Sequence, residues 1–217
     1  MSAHYPNANI AKLSSTVEAY VTSVDELYGH YLDSTVGFVA NHKNIVDGQE
    51  RAKALLPSQA DFDSSAFFYG HGNPNDPSNR LLHKTTQGEF KRRNNKGGRN
   101  HVRAAQLLVV LLYSFWEHEY RPRLAASLGL AEASELKIPL FGDIRLLRCD
   151  VIHHRGVVTK ETATKLSILT GFSEGLEIVL TEADVETLIR KIKAAMDELV
   201  LLVAGSDPMH RTLWHIQ

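Results

Sequence analysis

One short segment of the sequence carries an arginine and a histidine whose chemistry suits a phosphate. Arg148 and His153 are separated by four residues within residues 142–156, which have the apolar pattern of a helix. A guanidinium is always charged and can hold a phosphate through two parallel hydrogen bonds. Imidazole exchanges a proton near neutral pH. The pair therefore combines the two properties that metal-free cleavage of RNA requires.

The spacing by itself has little specificity. Thirteen arginines and eleven histidines in 217 residues produce about one such pair by chance. Positions five apart also differ by about 140° around an ideal helix, so a shared cleft needs either a loosened last turn or a second chain. The alternative is that Arg148 lies on a solvated face and that His153 is a helix-end histidine stabilised by the helix dipole.

Composition excludes several classes of protein. The chain is long enough for one well-buried domain, and its net charge of -1 gives no global attraction to nucleic acid. The single cysteine, Cys149, excludes an internal disulfide. The longest uncharged run, Ala104 to Trp116, is well short of the ~20 residues that a membrane-spanning helix needs, and no signal peptide is visible. We expect one domain, residues 1–217, in the cytoplasm.

Three long segments have the periodicity of buried helices. Residues 10–56 form one helix or two, closed by Pro57. Residues 102–130 form a central helix that is buried on several sides from 107 to 112 and is kinked or interrupted at Pro122. The last helix begins near Thr181. These patterns predict an all-α fold.

Two smaller elements complete the predicted architecture. The motif helix has Asp143 as its N-cap and Gly156 as its stop, and residues 176–180 have the composition of a strand. We therefore predict a bundle of four to five main helices with a long polar insert and at most one small β element.

The insert, residues 58–98, is rich in Gly, Asn, Asp, Ser and Pro, and we expect it to be irregular. Its second half is basic, with only Glu89 opposing it, and Phe90 lies beside the cations; this combination suits single-stranded RNA. The alternative is a solvated flexible loop. The residues predicted to bind RNA are Lys91, Arg92, Arg93, Lys96, Arg99 and Arg103.

Residues 142–156, together with the preceding Trp116-Glu117-His118-Glu119-Tyr120-Arg121-Pro122-Arg123, resemble the HEPN superfamily (higher eukaryotes and prokaryotes nucleotide-binding domains). The resemblance implies a bundle of four or five helices. It also implies a homodimeric, metal-independent endoribonuclease, often a toxin or abortive-infection protein of microbial defence. Arg148 and His153 match the two signature residues. Cys149 departs from the family, which usually has a polar residue, commonly asparagine, at that position.

The resemblance implies a reaction in which RNA is cleaved by its own 2′-hydroxyl. A 2′-hydroxyl attacks the neighbouring phosphorus, His153 removes or donates the proton, and Arg148 offsets the charge that grows on the phosphoryl oxygens. A two-fold dimer would bring both pairs to one groove, where one histidine acts as base and the other as acid. We expect RNA as substrate and a homodimer, with a cognate antitoxin or another defence protein as a further partner and no membrane contact.

Three neighbouring residues are candidates for supporting roles. Asp150 supplies polarity beside the arginine, His154 assists His153, and Glu119 orients the arginine. The alternatives are an exposed helix-end side chain for His154, and for Glu119 a salt bridge to Arg121 or Arg123. A zinc site fails on ligand count, and we expect neither a metal nor another cofactor.

Two other classes of function compete with the enzyme. The departure at Cys149 and the near-neutral charge favour a non-catalytic HEPN-like module that binds RNA, a nucleotide or a protein. The apolar runs 107–112 and 200–203 suggest instead a structural subunit that uses them as an oligomer interface.

Overall fold

The computed structural model describes residues 5–55, 61–72, 76 and 80–204. It is predominantly helical with one two-stranded sheet, which confirms the predicted fold class at that level. A single turn of 3-10 helix, Ala133–Glu135, and a π-helical turn, Trp116–Tyr120, connect neighbouring helices. The main elements are α1 (Ile10–Leu55), β1 (Ala66–His71), β2 (Arg80–Thr86), α2 (Gln87–Asn94), α3 (Arg99–Phe115), α4 (Arg121–Ser127), α5 (Pro139–His153), α6 (Lys160–Lys165) and α7 (Glu182–Ala204).

The contacts divide the chain into two compact units. The first unit comprises Met1–His30 and Ala105–Gln217, and the second comprises Tyr31–Ala104. The motif helix α5 belongs to the first unit, and most of the insert belongs to the second. The single domain expected from the sequence stays a prediction.

Helix α1 is one continuous helix of 46 residues. Gly29 and Gly37 do not break it, and a Cβ at either would meet no atom within 4 Å. Its first half supplies much of the buried surface of the first unit. Pro57, expected to close the helix, lies outside the described residues.

The core of the first unit is built around aromatic rings from three helices. Trp116 stacks on Phe141 with ring centroids 3.8 Å apart, and Tyr20 packs against Tyr120 at 4.8 Å. Leucines, isoleucines and a methionine from α3, α4, α5 and α7 complete the core: Leu112, Leu124, Ile144, Leu147, Ile192 and Met196.

Helix α3 is buried on one side only, so the expectation of burial on several sides was wrong. Leu108, Val109 and Leu112 face the core, whereas Leu107 and Leu111 are exposed. Residues 107 and 111 lie one turn apart on the opposite face of the helix. No described element covers that face. The expectation was wrong because it inferred burial from apolar residues on all sides of the helix.

The helix changes geometry before Pro122, as the sequence predicted. Residues Trp116–Tyr120 form a π-helical turn in which the N–H of Arg121 donates to the carbonyl of Trp116. Pro122 then lies in the first turn of α4, and because the helix continues from the π turn, its missing N–H cannot donate to a carbonyl of the preceding turn. The wider π turn accommodates the proline while the chain continues as a helix.

The insert is more regular than predicted, and the expectation of irregular structure was wrong for much of it. Strands β1 and β2 pair antiparallel, with Phe67 opposite Thr85 and Tyr69 opposite His83. Phe67 then packs on Phe90 of α2 with ring centroids 4.1 Å apart. These aromatic contacts give the segment a regular structure, although the polar residues beside it favoured a loop in the sequence.

The predicted strand at residues 176–180 is reduced to one isolated bridge, Val157 with Glu177. A strand needs a partner along its length to satisfy its backbone groups, and among the described residues the backbone bonds across the bridge come from Gly156 and Val158 alone. Helix α7 is confirmed, and Thr181 and Asp184 bond reciprocally at its start. Its predicted apolar face is buried: Val185, Leu188, Ile189, Ile192, Met196 and Leu199.

Over the described residues, we find no helix with the length and apolar character needed to cross a membrane.

Candidate functional site on helix α5

Helix α5 begins at Pro139, one turn before the predicted N-cap. Asp143 lies inside the helix and is almost completely buried. Its carboxylate accepts hydrogen bonds from the backbone N–H groups of Ser167, Ile168 and Leu169, at 3.0, 2.6 and 2.8 Å. The N-cap prediction was therefore wrong, because proline starts the helix and Asp143 holds a distant loop instead.

The end of α5 is fixed by Gly156, as predicted. The N–H groups of His154 and Gly156 both donate to the carbonyl of Asp150, at 3.0 and 2.9 Å. Gly156 has φ of 80°, and a Cβ there would lie 2.6 Å from Nε2 of Gln106. Only glycine therefore fits both the backbone conformation and the space.

Asp150 anchors the turn after α5. Its buried carboxylate accepts a hydrogen bond from the N–H of Thr159 at 2.9 Å. Thr159 in turn caps α6 through its hydroxyl. Within the described parts of the chain, no hydrogen bond joins Asp150 to Arg148, so the carboxylate positions the loop rather than the guanidinium.

Arg148 is half-buried, and its Nε is enclosed by protein. Among the residues that the structure describes, this N–H has no hydrogen-bond partner. An enclosed donor without a partner costs free energy, and a charged donor costs more. Because protein atoms enclose Nε, a phosphate would have to meet the terminal nitrogens of the Arg148 guanidinium.

His153 is the last residue of α5, and both His153 and His154 are exposed. The α-helical hydrogen bond from the N–H of His154 to the carbonyl of Asp150 shows that the last turn is regular. The loosened turn is therefore absent, and the side chains of Arg148 and His153 leave the helix about 140° apart.

The acidic residues of the π turn are bound to arginines on the same stretch of helix. Glu119 pairs with Arg123 at 2.9 Å, and Glu117 pairs with Arg121 at 3.0 Å. For Glu119, the salt-bridge alternative is the one that the structure contains. Burial and the carboxylate of Glu117 raise the pKa of Tyr113, which donates to Glu117 at 3.2 Å.

Helices α3 and α5 run antiparallel, since Gln106 meets Gly156 at one end and Trp116 meets Phe141 at the other. Four exposed apolar residues lie on these helices or just beyond them, and we call them the α3–α5 surface: Leu107, Leu111, Ile152 and Val157. Exposed apolar side chains mark an interaction site where they form one continuous patch.

The cations predicted to bind RNA lie in the second unit, on α2 and at the start of α3, and most have partners. Lys91 pairs with Asp63 at 2.6 Å, and its hydrogen bond, with one from Gln49, lowers the pKa of Asp63. Arg92 pairs with Glu89 at 2.6 Å.

The remaining cations also interact with the protein. Arg93 donates to Nε2 of His83 at 3.0 Å and lies over the ring of Phe90. Lys96, Arg99 and Arg103 also have interaction partners. Phe90 itself is only 3% exposed and offers no ring face. Over the described residues 80–103, the basic segment is thus neither a solvated loop nor an open run of cations.

Sequence reasoning missed the exposed aromatic residues of the hairpin. Tyr69 and His83 lie opposite each other on β1 and β2. The run of Phe67, Phe68 and Tyr69 was the signal for a strand, but the glycine, asparagine and proline beside it favoured a loop. No group of three or more histidine, cysteine or acidic side chains able to hold a metal occurs in the described ranges.

No family model matches the chain, and no curated protein or solved structure shows significant similarity to it. The resemblance to the HEPN superfamily stays a prediction.

Proposed function

We propose that the protein is a metal-independent endoribonuclease of HEPN type that acts in microbial defence, as a toxin or abortive-infection protein. The observation that carries the proposal is Arg148, a half-buried guanidinium with an unpartnered N–H among the described residues, on the same helix as the exposed His153. A half-buried cation and a solvent-accessible imidazole suit an anionic substrate that must also exchange protons, once a dimer brings them together.

The proposed reaction uses the ribose of the substrate as its own nucleophile. The 2′-hydroxyl attacks the neighbouring phosphorus while a His153 imidazole takes the hydroxyl proton. The bond from phosphorus to the 5′-oxygen breaks, and that oxygen leaves with a proton from a second imidazole. The products are a 2′,3′-cyclic phosphate and a 5′-hydroxyl. Arg148 stabilises the negative charge that develops on the phosphoryl oxygens.

A homodimer completes this site. Because Arg148 and His153 leave one helix about 140° apart, we assign the dimer one groove on its two-fold axis, where each Arg148 lies near the His153 of the partner subunit. The α3–α5 surface favours this arrangement, since two of its exposed apolar residues, Ile152 and Val157, lie on the motif helix or just after it. Two histidines in one groove then serve as base and acid.

Purified protein incubated with a mixed RNA in the presence of a chelator tests the proposal. Arg148→Ala and His153→Ala should each reduce cleavage by at least ~100-fold, the range for loss of an acid–base group. The control is His118→Ala, which removes an exposed histidine of the π turn and should cut almost as fast as the wild type. Intact RNA with the wild type, or equal cleavage by His153→Ala, would contradict the proposal.

The second candidate is a non-catalytic HEPN-like module that binds RNA, a nucleotide or a protein. It is favoured by Cys149, which follows Arg148 where a polar residue is expected, and by the absence of any side-chain hydrogen bond that orients His153 within the described residues. Expression in a microbial host separates the two. A toxin slows growth and Arg148→Ala restores it, whereas a binding module does neither.

A further inference from the structure

The hairpin of the second unit is exposed on both faces. Within its two strands, only Phe67 and Thr85 are partly covered. An isolated two-stranded hairpin is marginally stable in water, so an exposed one gains from a ligand that covers it. The faces differ: Phe67, Tyr69 and His83 lie on the side of α2, while Phe68 and Lys84 lie on the other side.

Tyr69 is held in place and yet offers its ring to solvent. Its edge packs against Phe67 at 5.3 Å, and its plane lies within 29° of the His83 ring at 6.4 Å. The residue is nevertheless 46% exposed. A rigid aromatic ring loses little conformational entropy when a second flat ring stacks on it.

The charge around Tyr69 is positive. Arg93 donates to His83, which fixes a guanidinium next to the two rings. Arg80 and Lys84 are exposed on β2, and neither forms an ion pair with another described residue. Residues 64–72 and 80–88 contain no acid. An aromatic platform with the guanidinium of Arg93 beside it matches a ligand that has flat rings joined by phosphates.

We propose that Tyr69 and His83 form a stacking platform for a base of single-stranded RNA, with Arg93 close to its phosphates. A single strand is favoured over a duplex, because paired bases bury the ring faces that Tyr69 would meet. The proposal rests on the proposed function for the choice of RNA over DNA. It adds a binding site outside the motif helix. The two rings of this site were not among the residues that the sequence predicted to bind RNA.

Binding is measured on the full-length chain carrying His153→Ala, so that the RNA stays intact. The probe is a fluorescein-labelled 12-nucleotide oligouridylate, followed by fluorescence anisotropy. Tyr69→Ala should weaken binding by about tenfold or more, as expected for the loss of one stacked base. Tyr69→Phe keeps the ring and should bind within about twofold of the parent.

Phe68→Ala is the matched control. It removes an aromatic side chain of similar exposure from the same strand but from the opposite face, and it should leave the affinity unchanged. Tyr69→Leu keeps apolar packing without an aromatic ring, so it should bind as weakly as Tyr69→Ala. Thermal unfolding of each variant shows whether a loss of binding comes from unfolding. If Tyr69→Ala is unfolded, Tyr69→Leu replaces it in the comparison.

Three results would overturn the platform. In the first, Tyr69→Leu and Phe68→Ala bind the oligouridylate with equal affinity. In the second, the parent binds a 12-base-pair RNA duplex as tightly as the single strand. In the third, Tyr69→Ala binds RNA as the parent does but loses a protein partner. Cleavage by the wild type is scored separately. If the wild type cuts no RNA but Tyr69→Leu weakens RNA binding, the nuclease proposal fails and the platform stands. If the wild type cuts RNA but Tyr69→Leu binds RNA as the parent does, the platform fails and the nuclease proposal stands.

Discussion

The carboxylate of Asp143 holds the loop after α6 against α5. It accepts hydrogen bonds from three consecutive backbone N–H groups, those of residues 167–169, and from the hydroxyl of Ser167 at 3.4 Å. A buried carboxylate is stable only when its charge is met by donors of this kind. Asp143 is therefore a structural residue, although it stands next to the candidate site.

Asp143→Asn should destabilise the protein by ~2–3 kcal/mol, because the amide has one acceptor oxygen and turns its NH₂ group towards N–H donors. Urea unfolding followed by circular dichroism measures the change. Asp47→Asn, at an exposed helical position paired with Lys43, should change stability by less than ~0.5 kcal/mol. A loss below ~1 kcal/mol for Asp143→Asn would mean that the three N–H groups find water instead.

At the scale of elements, two glycines of the same chain have opposite roles. Gly37 lies within α1 with open space around it, and Gly156 ends α5 at a positive φ with Gln106 against it. In the first place glycine weakens a helix by leaving its backbone too free, and in the second it alone permits the turn.

Gly37→Ala should therefore raise the free energy of unfolding by ~0.5–1 kcal/mol, while Gly156→Ala should lower it by more than ~1 kcal/mol. The same substitution at both positions removes any effect of the added methyl group as such. Chemical denaturation of the two variants beside the wild type supplies the comparison. A stabilising Gly156→Ala would show that the turn after α5 adopts another conformation in solution.

At the scale of the whole molecule, the sequence predicted those structural features that depend on residues close together in the chain. The buried face of α7 and the stop at Gly156 follow from side chains within a few turns of the helix or within one turn of its end. The role of Asp143 could not be predicted in this way, since its partners lie 24 to 26 residues away. The hairpin was missed because Phe67 and Tyr69 are ordered by Phe90, which lies far beyond them in the chain.

The candidate site shows the same division. Arg148 and His153 were found from residue type and spacing, and the structure places both on α5 with one partly enclosed and the other exposed. Their separation of about 140° around the helix was also predicted from helix geometry. Exposure of Leu107 and Leu111 was not, because the apolar composition of α3 does not reveal which face another helix covers.

The proposed dimer makes a prediction that only the whole molecule can answer. The wild type should sediment as a dimer, and Leu107→Lys should dissociate it by placing two like charges across the two-fold axis, with a loss of at least ~10-fold in dimer affinity. Leu107 is 59% exposed, so the lysine is accommodated in the monomer without burial.

Cleavage should fall together with the dimer, because the shared groove needs groups from both chains. Leu176→Lys, at a leucine of similar exposure (63%), is the control and should leave both the mass and the cleavage unaltered. A wild type that sediments as a monomer yet cleaves RNA would place Arg148 and His153 of a single chain at the same phosphate. Such a result requires the last turn of α5 to unwind when RNA binds, since the regular turn keeps the two side chains apart.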